Sequence, residues 1–289
     1  MPYKHDAVPA PTTTRELLDR YDGVLLDIYG VMLDASGALP GAHELIAELD
    51  RRGMPFAFVS NDASRSTETY AKKFAGLGIH VDGSRFVTSG SLIPGYFAAR
   101  SLVGARTCVL GTEDSIAFVR AGGGEVVPLA RRMEIDVLAV CDDSGFEFLS
   151  GMEQALSALV RAVSAGRRPT LLLPNPDLLY PKGAGEIGFT AGAMALLLEA
   201  GLARRFPRER LVFDHLGKPE PHLFAAASRQ LGIAHDRLVM IGDQLETDIA
   251  GAQAAGVPSA LLAGHISRWD SAATDGAPAT PTWLLEALW

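Results

Sequence analysis

The sequence predicts an α/β protein in which a mostly parallel sheet is covered by helices on both faces. The main observation is the alternation of short apolar runs with helical patterns along almost the whole chain. Five of the apolar runs are bounded by glycine, proline or polar residues, as buried strands are. The five predicted strands span residues 24–27, 56–60, 85–88, 238–242 and 259–263.

Helices are predicted between these strands from the spacing of their apolar residues. Residues 42–49 place apolar side chains at positions i, i+3, i+4 and i+7, and residues 223–231 show similar spacing. Each segment therefore has one apolar face that packs on a sheet. The stretch 271–281, rich in alanine, threonine and proline, is predicted to be a loop before a short final helix over 283–288.

The middle of the chain repeats the same alternation and predicts a second, smaller α/β unit. Strand-like runs occur at 108–111, 135–141 and 170–173, with a helical pattern at 152–163. Because this unit lies between the early and late strands, we expect an inserted domain whose entry and exit are close in space. The predicted bounds are 15–88 and 175–289 for the core domain and 89–174 for the inserted domain.

Composition limits the classes of partner. The 289 residues include 26 lysines and arginines against 34 aspartates and glutamates, a net charge of −8 without a basic cluster, which argues against nucleic acid. The sequence has neither an apolar signal region in residues 1–14 nor a run of about 18 apolar residues, so we expect a cytoplasmic protein without a membrane partner. Cys108 and Cys141 lie on apolar runs, which predicts buried, reduced thiols.

Polar residues follow four of the apolar runs or begin the loops after them. They are Asp27, the triplet Ser60-Asn61-Asp62, Lys218, and Asp243 with Asp248. Taken singly, each has a structural explanation as a turn residue, a helix cap or a solvated charge. Together they would meet at the carboxyl edge of one parallel sheet, where open α/β folds bind ligands.

These residue types suit phosphoryl transfer. Two carboxylates, Asp27 and Asp243, can bind one hard divalent cation such as Mg²⁺. Lys218 and the Ser60 hydroxyl can hold phosphoryl oxygens while an oxygen of Asp27 attacks phosphorus. The predicted ligand is therefore a small phosphorylated molecule, and the chemistry is positioning with charge neutralisation.

The four motifs, in this order, resemble those of haloacid dehalogenase superfamily hydrolases with a Rossmann-like core. The resemblance is to the subgroup with a large α/β cap, subclass IIA, which includes NagD-type and 4-nitrophenylphosphatase-like enzymes. The short interval between Asp27 and Ser60 leaves no room for an extra domain, whereas the long interval from Ser60 to Lys218 does. Caps of this subgroup resemble dimer-forming ones, which leaves a homodimer through the cap open.

The resemblance also implies roles for individual residues. Asp27 would be the nucleophile that forms an aspartyl-phosphate, and Asp27, Asp243 and the backbone carbonyl of Tyr29 would bind Mg²⁺, with Asp248 beside the metal. Lys218 would act in catalysis and bind substrate, together with Ser60, Asn61 and Asp62. These assignments are expectations from the motif positions.

Tyr29 is the departure from the family pattern. The usual residue at this position is an aspartate that protonates the leaving group and then activates water, a contribution of about 10² to 10⁴ in rate. A phenol can donate a proton but is a poor base when neutral, so we expect weak turnover of alkyl phosphates and better turnover of aryl or acyl phosphates. Asp62 is a candidate replacement acid, and a helix N-cap is its alternative role.

Two other functions stay open at this stage. The segment Asp27-Ile28-Tyr29-Gly30 is the form that the first motif takes in true haloacid dehalogenases, which cleave carbon–halogen bonds without Mg²⁺. Retention of Asp243 and Asp248 argues against that activity. The third possibility is a catalytically weak protein that binds a phosphate ligand.

Overall fold

A computed structural model describes residues 8–183, 186–263 and 279–289. The chain divides into two compact units, and the chain passes between them four times. The first unit contains Met1–Ser60, Tyr70–Val87 and Lys218–Trp289, and the second contains Asn61–Thr69 and Thr88–Gly217.

The first unit is built on a seven-stranded sheet. Its strands, numbered in chain order through the whole protein, are β1 (Ala10–Thr12), β2 (Gly23–Leu26), β3 (Phe56–Ser60), β4 (Phe86–Thr88), β12 (Leu238–Gly242), β13 (Ser259–Leu262) and β14 (Trp283–Leu285). They lie in the order β1-β14-β13-β12-β2-β3-β4, and the pairings from β1 through β3 are parallel. The central strands are buried along their whole length, which agrees with their continuous apolar sequence.

Among the described residues, five α-helices belong to this unit in whole or in part. They are α1 (Thr14–Arg20), α2 (Ala42–Arg52), α3 (Thr67–Gly76), α8 (His222–Leu231) and α9 (Ala250–Ala255). The apolar face predicted for α2 is buried against the sheet. The α/β fold class that the sequence predicts is therefore confirmed.

The second unit has its own sheet of five parallel strands and its own buried core. The strand order is β11-β8-β7-β5-β6, and a further pair, β9 and β10, is antiparallel. The strands are β5 (Arg106–Leu110), β6 (Glu125–Val126), β7 (Val137–Val140), β8 (Thr170–Leu173), β9 (Leu179–Gly183), β10 (Glu186–Phe189) and β11 (Asp214–His215). The helices are α4 (Ile93–Ala99), α5 (Glu113–Ala121), α6 (Phe148–Ser164) and α7 (Ala191–Arg205).

The second unit ends at Gly217, whereas the sequence prediction ended the inserted domain near residue 174. The reason is that β11 returns to pair with β8 and that α7 packs its buried face on the same core. The sequence does not indicate this pairing, because β11 has only two residues, Asp214 and His215.

The prediction of a final helix over 283–288 is wrong. Trp283–Leu285 is a strand that pairs in parallel with β13 on one side and β1 on the other. Long-range backbone pairing overrides the local helical spacing here. Of the loop predicted over 271–281, residues 271–278 lie outside the described residues.

Two further expectations can be compared with the described residues. Cys108 and Cys141 are buried and form no disulfide, and burial raises the pKa of the Cys108 thiol to about 12, so it is unreactive at neutral pH. Among the helices of the described ranges, none has both the length and the apolar character needed to cross a bilayer.

Candidate active site

Three adjacent strands of the first unit end in the polar residues that the sequence singled out. Strand β2 lies between β12 and β3, with Leu26 paired to Ile241 on one side and to Phe58 on the other. Asp27 follows β2, Asp243 follows β12, and Ser60 is the last residue of β3. Parallel strands bring these residues to the same carboxyl edge, as predicted.

The loop after Asp27 allows Asp243 to come close. Gly30 has a φ of 96°, a conformation that glycine adopts without steric cost, and its amide donates to the Leu33 carbonyl at 2.8 Å. A β-carbon on Gly30 would lie 2.1 Å from Oδ2 of Asp243. The backbone at position 30 is therefore packed directly against the Asp243 carboxylate, and no larger residue fits there.

Lys218 is a buried cation between two carboxylates. Its ammonium donates to Oδ1 of Asp27 at 2.5 Å, to Oδ1 of Asp248 at 2.6 Å and to the carbonyl of Val59 at 3.0 Å. Burial by itself lowers the pKa of Lys218, but the Asp248 and Asp27 carboxylates outweigh it and hold the pKa above its ordinary value. Lys218 is thus protonated at neutral pH and places a positive charge at this edge of the sheet.

Asp248 organises the loop after β12. It lies in a single π-helical turn, Leu245–Ile249, and its Oδ2 accepts the amide hydrogens of Asp243 and Gln244, both at 3.1 Å. Its other oxygen accepts from Lys218. Gly242 leaves room for this arrangement, since a β-carbon there would lie 2.3 Å from Cβ of Asp248.

Asp27, Asp243 and Asp248 form what we call the carboxylate cluster. One oxygen from each residue lies within 4.8 Å of the others, and all three side chains are buried. With Lys218 as the neighbouring ammonium, three carboxylates and one cation leave two formal negative charges. Such a set of oxygen ligands suits a hard divalent cation, which would balance those charges.

Asn61 and Asp62 belong to the second unit, although they directly follow Ser60. The Asn61 amide donates to Oδ1 of Asp177 at 2.9 Å. Asp62 accepts from the amide and hydroxyl of Ser64 and from Nη1 of Arg65, the latter at 2.6 Å. Asp62 therefore closes a local turn and an ion pair, and it does not cap α3, which begins five residues later at Thr67.

Tyr29 has a partner that sequence reasoning missed. The ammonium of Lys73, on α3, donates to the Tyr29 hydroxyl at 2.5 Å and lies 4.8 Å from the centre of its ring. The ring itself is partly buried and packs on the core of the first unit. Among the residues that the structure describes, Lys73 forms no ion pair with a carboxylate. No local sequence signal links Lys73 to Tyr29, since the contact depends on how α3 packs.

Comparisons with known proteins identify the family. The family model described as haloacid dehalogenase-like hydrolase matches residues 24–125, and a second, HAD-hydrolase-like model matches residues 215–289. Human chronophin is 30% identical over 270 residues, covering 89% of this chain and 86% of its own length.

Two solved structures extend the likeness to the whole fold. NagD from Escherichia coli K-12 is 25% identical, covers 93% of this chain and 97% of its own, and has a TM-score of 0.72. Glycerol phosphate phosphatase from Mycobacterium tuberculosis, solved in complex with magnesium, is 26% identical, covers 94% and 76%, and has a TM-score of 0.76. On this evidence the chain is a hydrolase that belongs to the haloacid dehalogenase-like family, in the branch with phosphatase relatives.

Proposed function

We propose that this protein is a Mg²⁺-dependent phosphatase that hydrolyses a small phosphorylated metabolite through an aspartyl-phosphate on Asp27. The observation that carries the proposal is the carboxylate cluster beside one buried ammonium. Cleaving a carbon–halogen bond needs no cation, whereas phosphoryl transfer needs positive charge around the phosphoryl oxygens. The phosphatase relative solved with magnesium supports the same choice.

The chain's residues fit a magnesium ion. We propose Asp27, Asp243 and the backbone carbonyl of Tyr29 as its protein ligands, which are the oxygen donors that Mg²⁺ prefers. Asp248 already accepts hydrogen bonds at both oxygens from Lys218 and from two backbone amides, so its role is to orient the Asp243 loop beside the ion. When bound, the ion supplies charge neutralisation for the phosphoryl group.

The nucleophilic step is assigned to Asp27. Lys218 holds Oδ1 of Asp27 and thereby sets the rotation of the carboxylate, and we assign Oδ2 as the attacking atom. A bond forms between Oδ2 and phosphorus while the bond from phosphorus to the leaving oxygen breaks. Water then attacks phosphorus, which releases inorganic phosphate and restores the Asp27 carboxylate.

Tyr29 determines which leaving groups are tolerated. Lys73 can only donate, so the Tyr29 oxygen is the acceptor and its own hydrogen can be given to a leaving alkoxide. A phenol is, however, a much weaker acid than the carboxylic acid that the family normally has at this position, so it protonates an alkoxide less efficiently. The following water step, which is common to all esters, also lacks a carboxylate base. We therefore propose better turnover of aryl and acyl phosphates, whose leaving groups need no proton, than of alkyl phosphates.

A phosphate-ester panel tests the proposal. The purified protein is assayed with 4-nitrophenyl phosphate, acetyl phosphate and glycerol 3-phosphate, with Mg²⁺ and with EDTA, beside Asp27→Asn and the exposed control Asp82→Asn. We expect activity with Mg²⁺ only, loss in Asp27→Asn and no change in Asp82→Asn. Unchanged activity in Asp27→Asn would end the proposal.

The same panel separates the two alternative functions. Halide release from a 2-haloacid that persists in EDTA would identify a dehalogenase. Absence of turnover on every ester, together with a rise in melting temperature on adding inorganic phosphate, would identify a phosphate-binding protein. Equal rates on alkyl and aryl phosphates would refute the role given to Tyr29.

A further inference from the structure

The segment that follows Ser60 has an unusual set of backbone partners. Residues 61–69 belong to the second unit, and four successive carbonyls at its start each accept a hydrogen bond from residues 89–115 of that unit. The pairs are Ser89 Oγ to Asn61 O at 2.6 Å, Gly90 N to Asp62 O at 3.2 Å, Ser115 Oγ to Ala63 O at 2.7 Å, and Thr112 Oγ1 to Ser64 O at 2.7 Å.

A carboxylate continues this set along the same segment. Oδ2 of Asp114 accepts from the Ser66 amide at 2.8 Å and from the Thr69 hydroxyl at 2.7 Å. Burial raises the pKa of Asp114, but the hydrogen bonds from Ser66 and Thr69 outweigh it and keep the pKa below its ordinary value. Asp114 is therefore an ionised acceptor at neutral pH, and we call Ser89, Gly90, Thr112, Asp114 and Ser115 the loop clamp.

The loop clamp is more than ordinary satisfaction of backbone groups. Residues 61–64 are buried, and buried carbonyls are almost always paired, most often with backbone amides. Here three of the four carbonyls are held by side-chain hydroxyls, and Ser115 is completely buried. Because a hydroxyl donates a good hydrogen bond only over a narrow range of distances and angles, the clamp restricts where the carbonyls of Asn61 to Ser64 can lie.

We propose that Thr112, Asp114 and Ser115 are positioning residues for phosphate binding by Ser60 and Asn61. The inference rests on the proposed function and on the family resemblance, which implies that those two residues hold the phosphoryl group. Asn61 is bonded directly to Ser60, so a clamp on the Asn61 carbonyl and the next three also sets the direction in which the chain leaves β3. Binding groups misplaced by about 1 Å can cost as much as 10²-fold in rate.

The test removes two hydroxyls of the loop clamp and compares the effect with that of removing one hydroxyl outside the clamp. The double variant Thr112→Val/Ser115→Ala loses the bonds to Ala63 and Ser64, and also the capping box that these two side chains form at the start of α5. The control Thr107→Val loses a similar bond, from Thr107 Oγ1 to the Ala105 carbonyl at 3.0 Å, elsewhere in the same unit. Thr112→Ser keeps the hydroxyl and serves as the conservative rescue.

We expect the double variant to raise KM for 4-nitrophenyl phosphate, and the inhibition constant of inorganic phosphate, about tenfold, with a smaller change in kcat. The Mg²⁺ concentration for half-maximal activity should not change, because the carboxylate cluster and Lys218 lie in the first unit. Thr107→Val and Thr112→Ser should behave like the wild type. A merely structural role would lower the melting temperature without this selective loss of phosphate affinity.

Unchanged phosphate inhibition in a folded double variant would overturn the proposal, and so would an equal change in Thr107→Val. If the double variant does not fold, Asp114→Asn is measured in the same way, and faster amide exchange in residues 61–69 with weaker phosphate binding would support the clamp. If the wild type turns no ester over, the proposed function fails by itself. Calorimetric affinity for inorganic phosphate then decides the clamp: tenfold weaker binding supports it, and equal binding refutes it.

Discussion

Lys218→Met is the substitution whose effect on stability the structure predicts most directly. Methionine keeps most of the aliphatic volume of lysine but removes the ammonium. In the native protein Lys218 is 3% exposed, and its ammonium donates to Asp27, Asp248 and the Val59 carbonyl. The variant therefore leaves two buried carboxylates facing each other without the cation between them.

The expected cost follows from this burial. Removing one partner of a buried ion pair destabilises a protein by about 3–5 kcal/mol, because a charge is left in a medium that solvates it poorly. Here two carboxylates lose the same partner. In chains of 150–250 residues each kcal/mol lowers the melting temperature by about 2–4 °C, so a decrease of at least about 6 °C is expected.

Lys73→Met is the matched control, since it removes a partly buried ammonium from the same unit. Lys73 contacts the Tyr29 hydroxyl and ring, and no carboxylate among the described residues loses an ion-pair partner when it is removed. One hydrogen bond with a charged donor contributes about 1.5–3 kcal/mol at most. Both variants are compared with the wild type by differential scanning calorimetry without Mg²⁺. If Lys218→Met lowers the melting temperature no more than Lys73→Met, the buried ion pairs do not hold this edge of the sheet together.

Three further predictions concern other features of the first unit. Gly30→Ala should lower the free energy of unfolding by at least about 1 kcal/mol and raise the Mg²⁺ concentration needed for activity, because the new β-carbon meets Asp243. Urea unfolding and Mg²⁺ titration measure both effects. The control is Gly53→Ala, since Gly53 also has a positive φ, of 60°, but has open space around it. Tyr29→Asp should raise kcat on glycerol 3-phosphate by about 10²-fold and change 4-nitrophenyl phosphate less, whereas a gain in Tyr29→Phe would contradict the proton-transfer argument. Side-chain hydrogen bonds from neighbouring arginines lower the pKa of Glu48 to about 2. The ionised carboxylate therefore contributes fully to folding stability above pH 4.5, and this contribution is lost as the pH falls through 2. The difference in melting temperature between the wild type and Glu48→Gln should shrink in acid and stay constant near neutral pH.

The residues of the site that could be predicted are those that end central strands. Asp27, Ser60 and Asp243 lie at the ends of continuous apolar runs. Because the three strands are parallel neighbours, their ends lie at the same edge of the sheet. The order of the motifs along the chain predicts a site role for Lys218. Its contacts with Asp27 and Asp248 place it at the same edge of the sheet. Such predictions succeed because strand ends are marked locally in the sequence.

Features that depend on long-range contacts could not be predicted in this way. The strand over 283–285 exists because β13 and β1 pair with it, and its sequence alone is compatible with a helix. The end of the second unit at Gly217 depends on β11 pairing with a strand some forty residues earlier in the chain. Lys73 meets Tyr29, and Thr112 meets Ser64, only after whole helices are packed.

Tyr29 shows why such contacts decide function where a short motif is ambiguous. Its motif taken alone favours halide displacement, a reaction in which a carboxylate attacks carbon and no cation is needed. The same loop, however, packs Gly30 against Asp243, and Asp243 lies in a buried cluster with Asp27 and Asp248. Burying three carboxylates around one ammonium is costly unless further positive charge arrives. Halide displacement needs no cation, whereas the proposed phosphatase reaction would bring a divalent cation to this cluster, and the charge of the cluster is therefore an argument for the proposed function.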